Sequence, residues 1–296
     1  MKNVGASVYD KLAKVAKNSK RPFQEVLLYY VMERFLARLS QSNERDDFIL
    51  NGALMLHVLN PGLSRATRDI DFLGKFKNDL DHAEGRIRQI CTIELDDGVV
   101  FDPKSIKATK IKEDAEYEGV RVEFYGKIAS ARVPMQIDIG FGDAVTPDPK
   151  STQYPQILEG ESFALKMYPP ETVISEKFEA MVKLDMINSR MKDFFDIWFL
   201  SRSFEFSGRQ LQIAIESTLM RRETDLPELP VALTDVFWSN RQKVTQWTAF
   251  RSRLNIAAPE TLVDVGQEVA DFLLPPLGAI REKTEFSMDW SAGHWR

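Results

Sequence analysis

The feature that most constrains the fold is a change of character near the middle of the chain. Before residue 145, short apolar runs alternate with turn residues and helical patterns, which is typical of a mixed α/β domain. After a stretch at 146–170 that contains several prolines and glycines, the pattern is almost entirely helical. A chain of 296 residues is also long enough for two cores, because single cores stop growing near this size. The sequence therefore predicts an α+β fold, with a mixed sheet domain followed by a mainly helical domain.

Local patterns predict the individual elements of both halves. The second helix begins directly behind Pro22, which suits the first turn of a helix. In the first half the predicted helices are 6–18, 22–41, 53–59 and 79–91, and the predicted strands are 47–50, 68–73, 105–112, 119–126 and 131–141. In the second half the predicted helices are 171–186, 190–202, 208–220, 234–252 and 259–281. The expected domains are an N-terminal helical cap at 1–45, a catalytic sheet domain at 46–160 and a helical C-terminal domain at 161–296.

Composition restricts the kinds of site that this chain can build. A net charge of −5 argues against a protein that coats nucleic acid without specificity, although it permits a local basic surface. One cysteine, Cys91, excludes an internal disulfide framework and a cysteine-based zinc site. Three histidines make a histidine-rich metal centre a poor expectation. A bound metal must then rest on carboxylates. The sequence has no apolar run long enough for a membrane span, and its start lacks a signal-peptide pattern, so we expect a cytoplasmic protein.

A group of aspartates is the candidate metal site. Successive side chains of a strand point to opposite faces, so Asp69 and Asp71 are predicted to project on the same side. Asp138 lies on the polar side of a later strand whose other side chains build a core, and it can supply a third carboxylate. Mg²⁺ prefers a few carboxylate oxygens together with substrate phosphates. An Asp-x-Asp pair alone also fits an edge strand with solvated aspartates, so the interpretation depends on the neighbouring motifs.

A glycine turn precedes these aspartates. A short strand, the dipeptide Asn51-Gly52 and a following helix make a layout that handles phosphate groups, because glycine lets a ligand approach the backbone closely. This turn strengthens the interpretation of the aspartates as part of a nucleotide site.

Two helices of the second half carry further charged candidates. Lys177 lies on a largely apolar helix face, where it either extends its ammonium to water or serves as a point charge for phosphates. Arg190, Asp193 and Asp196 share a face of the next predicted helix. That face is either a buried ion-pair network or part of a cleft. We expect Asp193 to act as a base or to position the nucleotide, and Asp196 to anchor Arg190 or Lys192.

Taken in order, these motifs resemble the AbiEii/AbiGii toxin family of nucleotidyltransferases, which includes toxins of type IV toxin–antitoxin systems and the MenT-type toxins. The motifs that carry the resemblance are Gly52-Ala53-Leu54, Arg65-x-Thr67-Arg68-Asp69-Ile70-Asp71, Gln136-Ile137-Asp138-Ile139, Tyr168-Pro169-Pro170-Glu171-Thr172 through Glu176-Lys177, and Arg190-x-Lys192-Asp193-x-x-Asp196. The resemblance implies a polymerase-β-like sheet domain joined to a helical C-terminal domain.

The resemblance also implies roles for individual residues. Asp69, Asp71, Lys177 and Asp193 would be catalytic, and Asp69, Asp71 and Asp138 would hold Mg²⁺ or Mn²⁺. The residues expected to contact the NTP or to support its site are Gly52, Arg65, Thr67, Arg68, Lys177, Arg190 and Lys192.

The implied reaction transfers a nucleoside monophosphate from an NTP to an acceptor hydroxyl and releases pyrophosphate. We expect RNA as the acceptor, with the 3′ end of tRNA as its reactive group, and a separately encoded AbiEi-like antitoxin as partner. Transfer of AMP to a protein hydroxyl is one alternative. A catalytically silent nucleotide-binding module is another, although both Asp69 and Asp71 are present.

Overall fold

The structure is a computed structural model that describes residues 4–59, 67–114, 117–254 and 257–296. The chain divides into two compact units, and each of them is built from two segments. The first unit comprises Met1–Gly142 and Lys150–Met167, and the second comprises Asp143–Pro149 and Tyr168–Arg296. The domain limits expected from the sequence stay a prediction.

The first unit is built on a mixed sheet with helices before and between its strands. Its helices are α1 (Val4–Ser19), α2 (Phe23–Gln41), α3 (Gly52–Leu59) and α4 (Leu80–Cys91). Its strands are β1 (Phe48–Asn51), β2 (Ile70–Gly74), β3 (Val99–Phe101), β4 (Lys107–Asp114), β5 (Tyr117–Ile128), β6 (Ala131–Phe141), β7 (Lys150–Gln153) and β8 (Ala164–Met167). The strand order is β3-β5-β6-β2-β1-β8-β7, and β4 pairs with β5. Strand β2 is parallel to β6 and antiparallel to β1.

Alternating side chains give the sheet one covered face and one polar face. Along β5, Val120, Val122 and Phe124 are buried, whereas the residues between them are at least partly exposed. Helix α2 packs against the buried side, where the ring of Phe35 lies 5.6 Å from that of Phe124. The polar side keeps charged residues near solvent, because a buried charge is costly unless it is paired.

The second unit is mainly helical. Its helices are α5 (Pro170–Leu184), α6 (Met191–Ser203), α7 (Gly208–Arg221), α8 (Asp235–Trp238), α9 (Arg241–Arg251) and α10 (Leu262–Glu282). A small sheet joins β9 (Phe206–Ser207), β10 (Asp289–Ser291) and β11 (His294–Trp295). A mixed sheet followed by a helical region confirms the predicted α+β class. In the described part of the chain, no helix is long and apolar enough to cross a membrane.

Several element predictions were wrong in detail. The single helix predicted at 234–252 is two helices, because Asn240 lies between α8 and α9 and its side chain accepts hydrogen bonds from the backbone amides of Gln242 and Lys243. The sequence analysis did not predict strands β3, β7 and β8 of the first unit, and it did not predict the small sheet of the second unit. Strand β7, with the sequence Lys-Ser-Thr-Gln, has no apolar alternation, and its pairing with β8 makes it a strand.

The aromatic residues near the C-terminus pack on the helical unit. Phe272 of α10 contacts Trp290 and Trp295, with ring centroids 4.8 Å and 5.6 Å apart, and Phe286 lies 4.8 Å from Trp295. The indole N–H of Trp290 donates to the backbone oxygen of Ser201 at 2.7 Å. These contacts attach the small sheet to helices α6 and α10.

Candidate active site

Three aspartates of the first unit converge on one point. Asp71 of β2 is directly opposite Asp138 of the parallel strand β6, and Asp69 lies just before β2 begins at Ile70. One carboxylate oxygen from each of the three aspartates lies within 4.8 Å of the other two. The sequence placed Asp69 inside the strand, whereas the structure places it in the preceding bend, where it still reaches the same point.

Hydrogen bonds hold Asp69 in this position. The hydroxyl of Thr67 donates to a carboxylate oxygen of Asp69. The backbone amide of Thr67 in turn donates to the Tyr29 hydroxyl at 3.0 Å, which ties this turn to helix α2. Among the neighbouring candidates, Arg68 is exposed and Arg65 lies outside the described residues. The structure therefore gives Thr67 a clear contact with the cluster.

Gly52 leaves the space that Asp71 occupies. Its φ of +68° belongs to the left-handed region, and an added Cβ would lie 1.9 Å from Oδ2 of Asp71. The Asn51 side chain accepts from the Gly52 amide at 2.5 Å, and Asn51 pairs with Asp71 across β1 and β2. Position 52 thus needs glycine for two reasons, the backbone conformation and the closeness of the carboxylate.

Arg121 of β5 is a member of the site that the sequence analysis missed. Its Nε and Nη2 donate to the two oxygens of Asp138 at 2.8 Å and 2.7 Å. This bidentate contact raises the pKa of Arg121 above its usual range. Asp138 also accepts weaker hydrogen bonds from Gln136, at 3.2 Å and 3.4 Å. Strand register was the missing signal, because Arg121 and Asp138 are opposite each other only when β5 and β6 are paired.

The aspartate cluster suits a hard divalent cation. Its three candidate ligands are carboxylate oxygens, which are the donors that Mg²⁺ and Mn²⁺ prefer. Neighbouring carboxylates repel one another, and a shared cation removes that repulsion. All three residues are partly exposed, so solvent and ligand can reach them. The residues present therefore fit a metal site that leaves room for substrate oxygens.

Four charged residues of the second unit form a cluster around two buried carboxylates: Lys177, Arg190, Asp193 and Asp196. The ammonium of Lys177 lies 3.0 Å from Asp193 and 2.8 Å from Asp196, and Nε of Arg190 lies 2.7 Å from Asp193. The side chains of both aspartates are fully buried, and that of Lys177 is 12% exposed. The sequence favoured Arg190 or Lys192 as a partner of Asp196, and the structure shows an ion pair of Asp196 with Lys177. Lys192 itself is exposed.

A second charged group of this unit, which the sequence analysis did not identify, surrounds Arg222. Its guanidinium lies 3.0 Å from Asp143, 2.9 Å from Glu179 and 3.8 Å from Glu176. Burial and the nearby Asp143 carboxylate raise the pKa of Glu176 to about 8. Arg222 thus joins the segment around Asp143 to helix α5.

The family model described as nucleotidyl transferase AbiEii toxin, type IV TA system, matches residues 34–274. Comparison with curated proteins gives no match. A solved structure of a proposed nucleotidyltransferase from Helicobacter pylori is similar at 15% identity, with 89% of this chain and 99% of that chain covered and a TM-score of 0.48. The structure of JHP933 from the same organism is similar at 17% identity, with 88% and 97% covered and a TM-score of 0.42. These two structural similarities are too low to add to the family match.

Proposed function

Because this chain belongs to the AbiEii family of nucleotidyltransferase toxins of type IV toxin–antitoxin systems, we propose that it transfers a nucleoside monophosphate from an NTP to a hydroxyl of RNA. The observation that carries this proposal is the convergence of Asp69, Asp71 and Asp138. The acceptor oxygen attacks the α-phosphorus, the bond to the bridging oxygen of the β-phosphate breaks, and pyrophosphate leaves.

In this proposal the three aspartates hold the divalent ion and the first unit binds the triphosphate. A bound Mg²⁺ or Mn²⁺ supplies positive charge against the phosphate oxygens and the leaving pyrophosphate. The absence of a Cβ at Gly52 leaves room for the Asp71 carboxylate, and the backbone of this turn is proposed to approach the triphosphate. Thr67 fixes Asp69, and Arg68 and Arg65 are proposed to contact substrate.

Lys177 and Asp193 are proposed to take part in nucleotide binding. Two buried carboxylates contact the ammonium of Lys177 and orient it. A lysine in this state is a fixed positive charge for a phosphate group. Asp193 contacts both Lys177 and Arg190 and is proposed to position them. Lys192 is exposed and is proposed to contact the NTP.

The proposed partners follow from the family. A type IV system implies an antitoxin, and we propose an AbiEi-like protein for that role. The 3′ end of tRNA is the proposed acceptor, since MenT-type toxins, which this chain resembles, modify tRNA. The cytoplasm, where tRNA and NTPs are present, is the proposed compartment.

The test uses the full chain, Mg²⁺, each labelled NTP in turn and total tRNA. We expect label to enter RNA, and Asp71→Asn to reduce the rate by at least about a thousandfold, because a metal ligand is lost. Asp81→Asn, an exposed aspartate of the same unit, is the matched control and should leave the rate unchanged.

The other outcomes separate the competing functions. Label in protein bands rather than in RNA would identify a protein AMP-transferase. NTP binding detected by calorimetry in the presence of Mg²⁺, with no label in RNA or protein, would identify a silent nucleotide-binding module. Either result would overturn RNA as the acceptor.

A further inference from the structure

The polar face of strands β4, β5 and β6 extends away from the aspartate cluster. Cross-strand register places Thr109, Arg121 and Asp138 in one row, with Asp71 next to Asp138. The following row contains Lys107, Glu123 and Gln136, and a later row pairs Lys127 with Arg132. The six residue steps from Asp138 to Arg132 cover about 20 Å of strand. The face is therefore a track that begins at the candidate metal site.

Exposure shows that this track is accessible. Lys107, Glu123, Lys127 and Arg132 are exposed, and the side chain of Arg121 is 37% exposed. The alternate residues of the same strands, such as Val122 and Met135, are buried on the other face. The polar residues are thus not required by the core of the first unit.

The charge on this track is mostly positive. Arg121 is paired with Asp138. Among the residues of β4–β6 whose side chains are described, the polar face beyond that pair has one acidic side chain, Glu123, and three cations, Lys107, Lys127 and Arg132. This excess contrasts with the net charge of −5 for the whole chain. A local basic face on an acidic protein indicates a polyanionic ligand rather than general adhesion to nucleic acid.

Two of these cations, Lys127 and Arg132, are cross-strand neighbours of like charge. Lys127 and Arg132 are directly opposite each other on β5 and β6, and like charges in such pairs destabilise a sheet. The guanidinium of Arg132 also lies over the Tyr125 ring, 3.5 Å from its centroid. An arginine supported by an aromatic ring has a free planar surface on which a base can stack.

We propose that this face binds the single-stranded end of the acceptor RNA and directs it toward the aspartate cluster. Lys107, Lys127 and Arg132 contact phosphates, and the Tyr125–Arg132 pair supports a base. RNA fits better than an acidic protein segment, because the track combines spaced cations with a stacking surface and continues to the site of nucleotidyl transfer. The inference rests on the proposed function, since the bound strand is the substrate of that reaction.

The test measures binding of a tRNA transcript and of a short single-stranded RNA by fluorescence anisotropy at several salt concentrations. The double variant Lys127→Gln with Arg132→Gln should weaken RNA binding at least about tenfold and reduce the slope of log K against log salt by roughly one to two units. Its KM for the NTP should not change. A matched control, Lys11→Gln with Lys14→Gln, removes two exposed cations from helix α1 of the same unit and should bind RNA as the wild type does.

Circular dichroism would verify that each variant is folded, and Arg132→Lys tests stacking separately. It should retain the salt slope of the wild type and lose part of the affinity for the short RNA. The proposal is overturned if the wild type labels RNA and the double variant has unchanged affinity and KM for RNA, a result that leaves the proposed function intact. If the wild type neither binds nor labels RNA but labels protein, both proposals fail.

Discussion

The aspartates of the two units differ in how their charge is neutralised. Asp193 and Asp196 of the second unit are fully buried, and Lys177 contacts both of them. Asp69 and Asp71 of the first unit are partly exposed and converge with Asp138. Burying a carboxylate requires a fixed cation, because the desolvation cost is otherwise too large. A cluster that solvent can reach can instead use an exchangeable cation.

This difference separates two functions of acidic residues that look alike in the sequence. Both regions contain two aspartates at short spacing, Asp69 and Asp71 in one and Asp193 and Asp196 in the other. In the second unit the fixed ion pairs make the aspartates positioning residues for Lys177. In the first unit the convergence of oxygen atoms makes them candidate metal ligands. Each of the following predictions tests one side of this comparison.

The largest effect is expected from Lys177→Met. This change leaves two fully buried aspartates without the ammonium that contacts them, and we expect a loss of about 3–5 kcal/mol in the free energy of unfolding. Denaturant unfolding followed by circular dichroism measures it. Lys183→Met, an exposed lysine of the same helix, should change stability by less than about 0.5 kcal/mol.

Asp71→Asn makes the corresponding change in the aspartate cluster of the first unit. Its free energy of unfolding should equal that of the wild type or be slightly higher, because repulsion between carboxylates is relieved. Equal losses of stability for Lys177→Met and Asp71→Asn would show that the two clusters do not differ as described.

A smaller effect is expected from Gly52→Ala. The new Cβ would overlap Oδ2 of Asp71, so the carboxylate must move away from the point shared with Asp69 and Asp138. We expect the rate of nucleotidyl transfer to fall about a hundredfold, equivalent to about 2.7 kcal/mol. The left-handed backbone at this position should also reduce stability by about 1–2 kcal/mol. Steady-state rates with labelled NTP measure the first effect.

Gly85→Ala is the control for this change, because a Cβ at Gly85 of helix α4 meets no atom within 4 Å. It should retain full activity. Activity retained in Gly52→Ala would mean that the exact position of Asp71 does not matter for transfer.

The smallest effect is expected from Arg121→Met. Arg121 donates to both oxygens of Asp138, so its positive charge competes with a divalent ion for that carboxylate. Removing this partly exposed charge should tighten Mn²⁺ binding about tenfold, or about 1.4 kcal/mol after solvent screening. Electron paramagnetic resonance with Mn²⁺ alone measures it, without reference to activity.

Arg132→Met is the control, because it removes a positive charge from the same face. Arg132 contacts Tyr125 instead of Asp138, so its loss should change the Mn²⁺ affinity little. Weaker Mn²⁺ binding in Arg121→Met would show that Arg121 supports the ligands and does not compete with the metal.

The residues that the sequence could identify are those whose role depends on local spacing. Asp71 and Asp138 were found because alternation along one strand separates polar from core residues. Gly52 was found because glycine between a strand and a helix marks a turn. Arg121 was missed, since nothing near it in the chain indicates Asp138, 17 residues away, as its partner.

The same distinction applies to the elements. Long helices such as α2 and α10 were predicted within a few residues, because their apolar periodicity is a local property. Strand β7 was missed because its polar residues are ordered only by the pairing with β8. Asn240 was also missed as a boundary, although asparagine is a common helix N-cap.

By itself, the sequence determined the two-part α+β architecture, the three carboxylates and the family resemblance, because all of these depend on residue type and order along the chain. The tertiary structure decided which charges meet. It paired Lys177 with the two buried aspartates, joined Arg121 to Asp138, and aligned the cations of β4–β6 on one face of the sheet. Electrostatic interactions fall off with distance in space, and the folded chain brings together charges that the sequence keeps far apart.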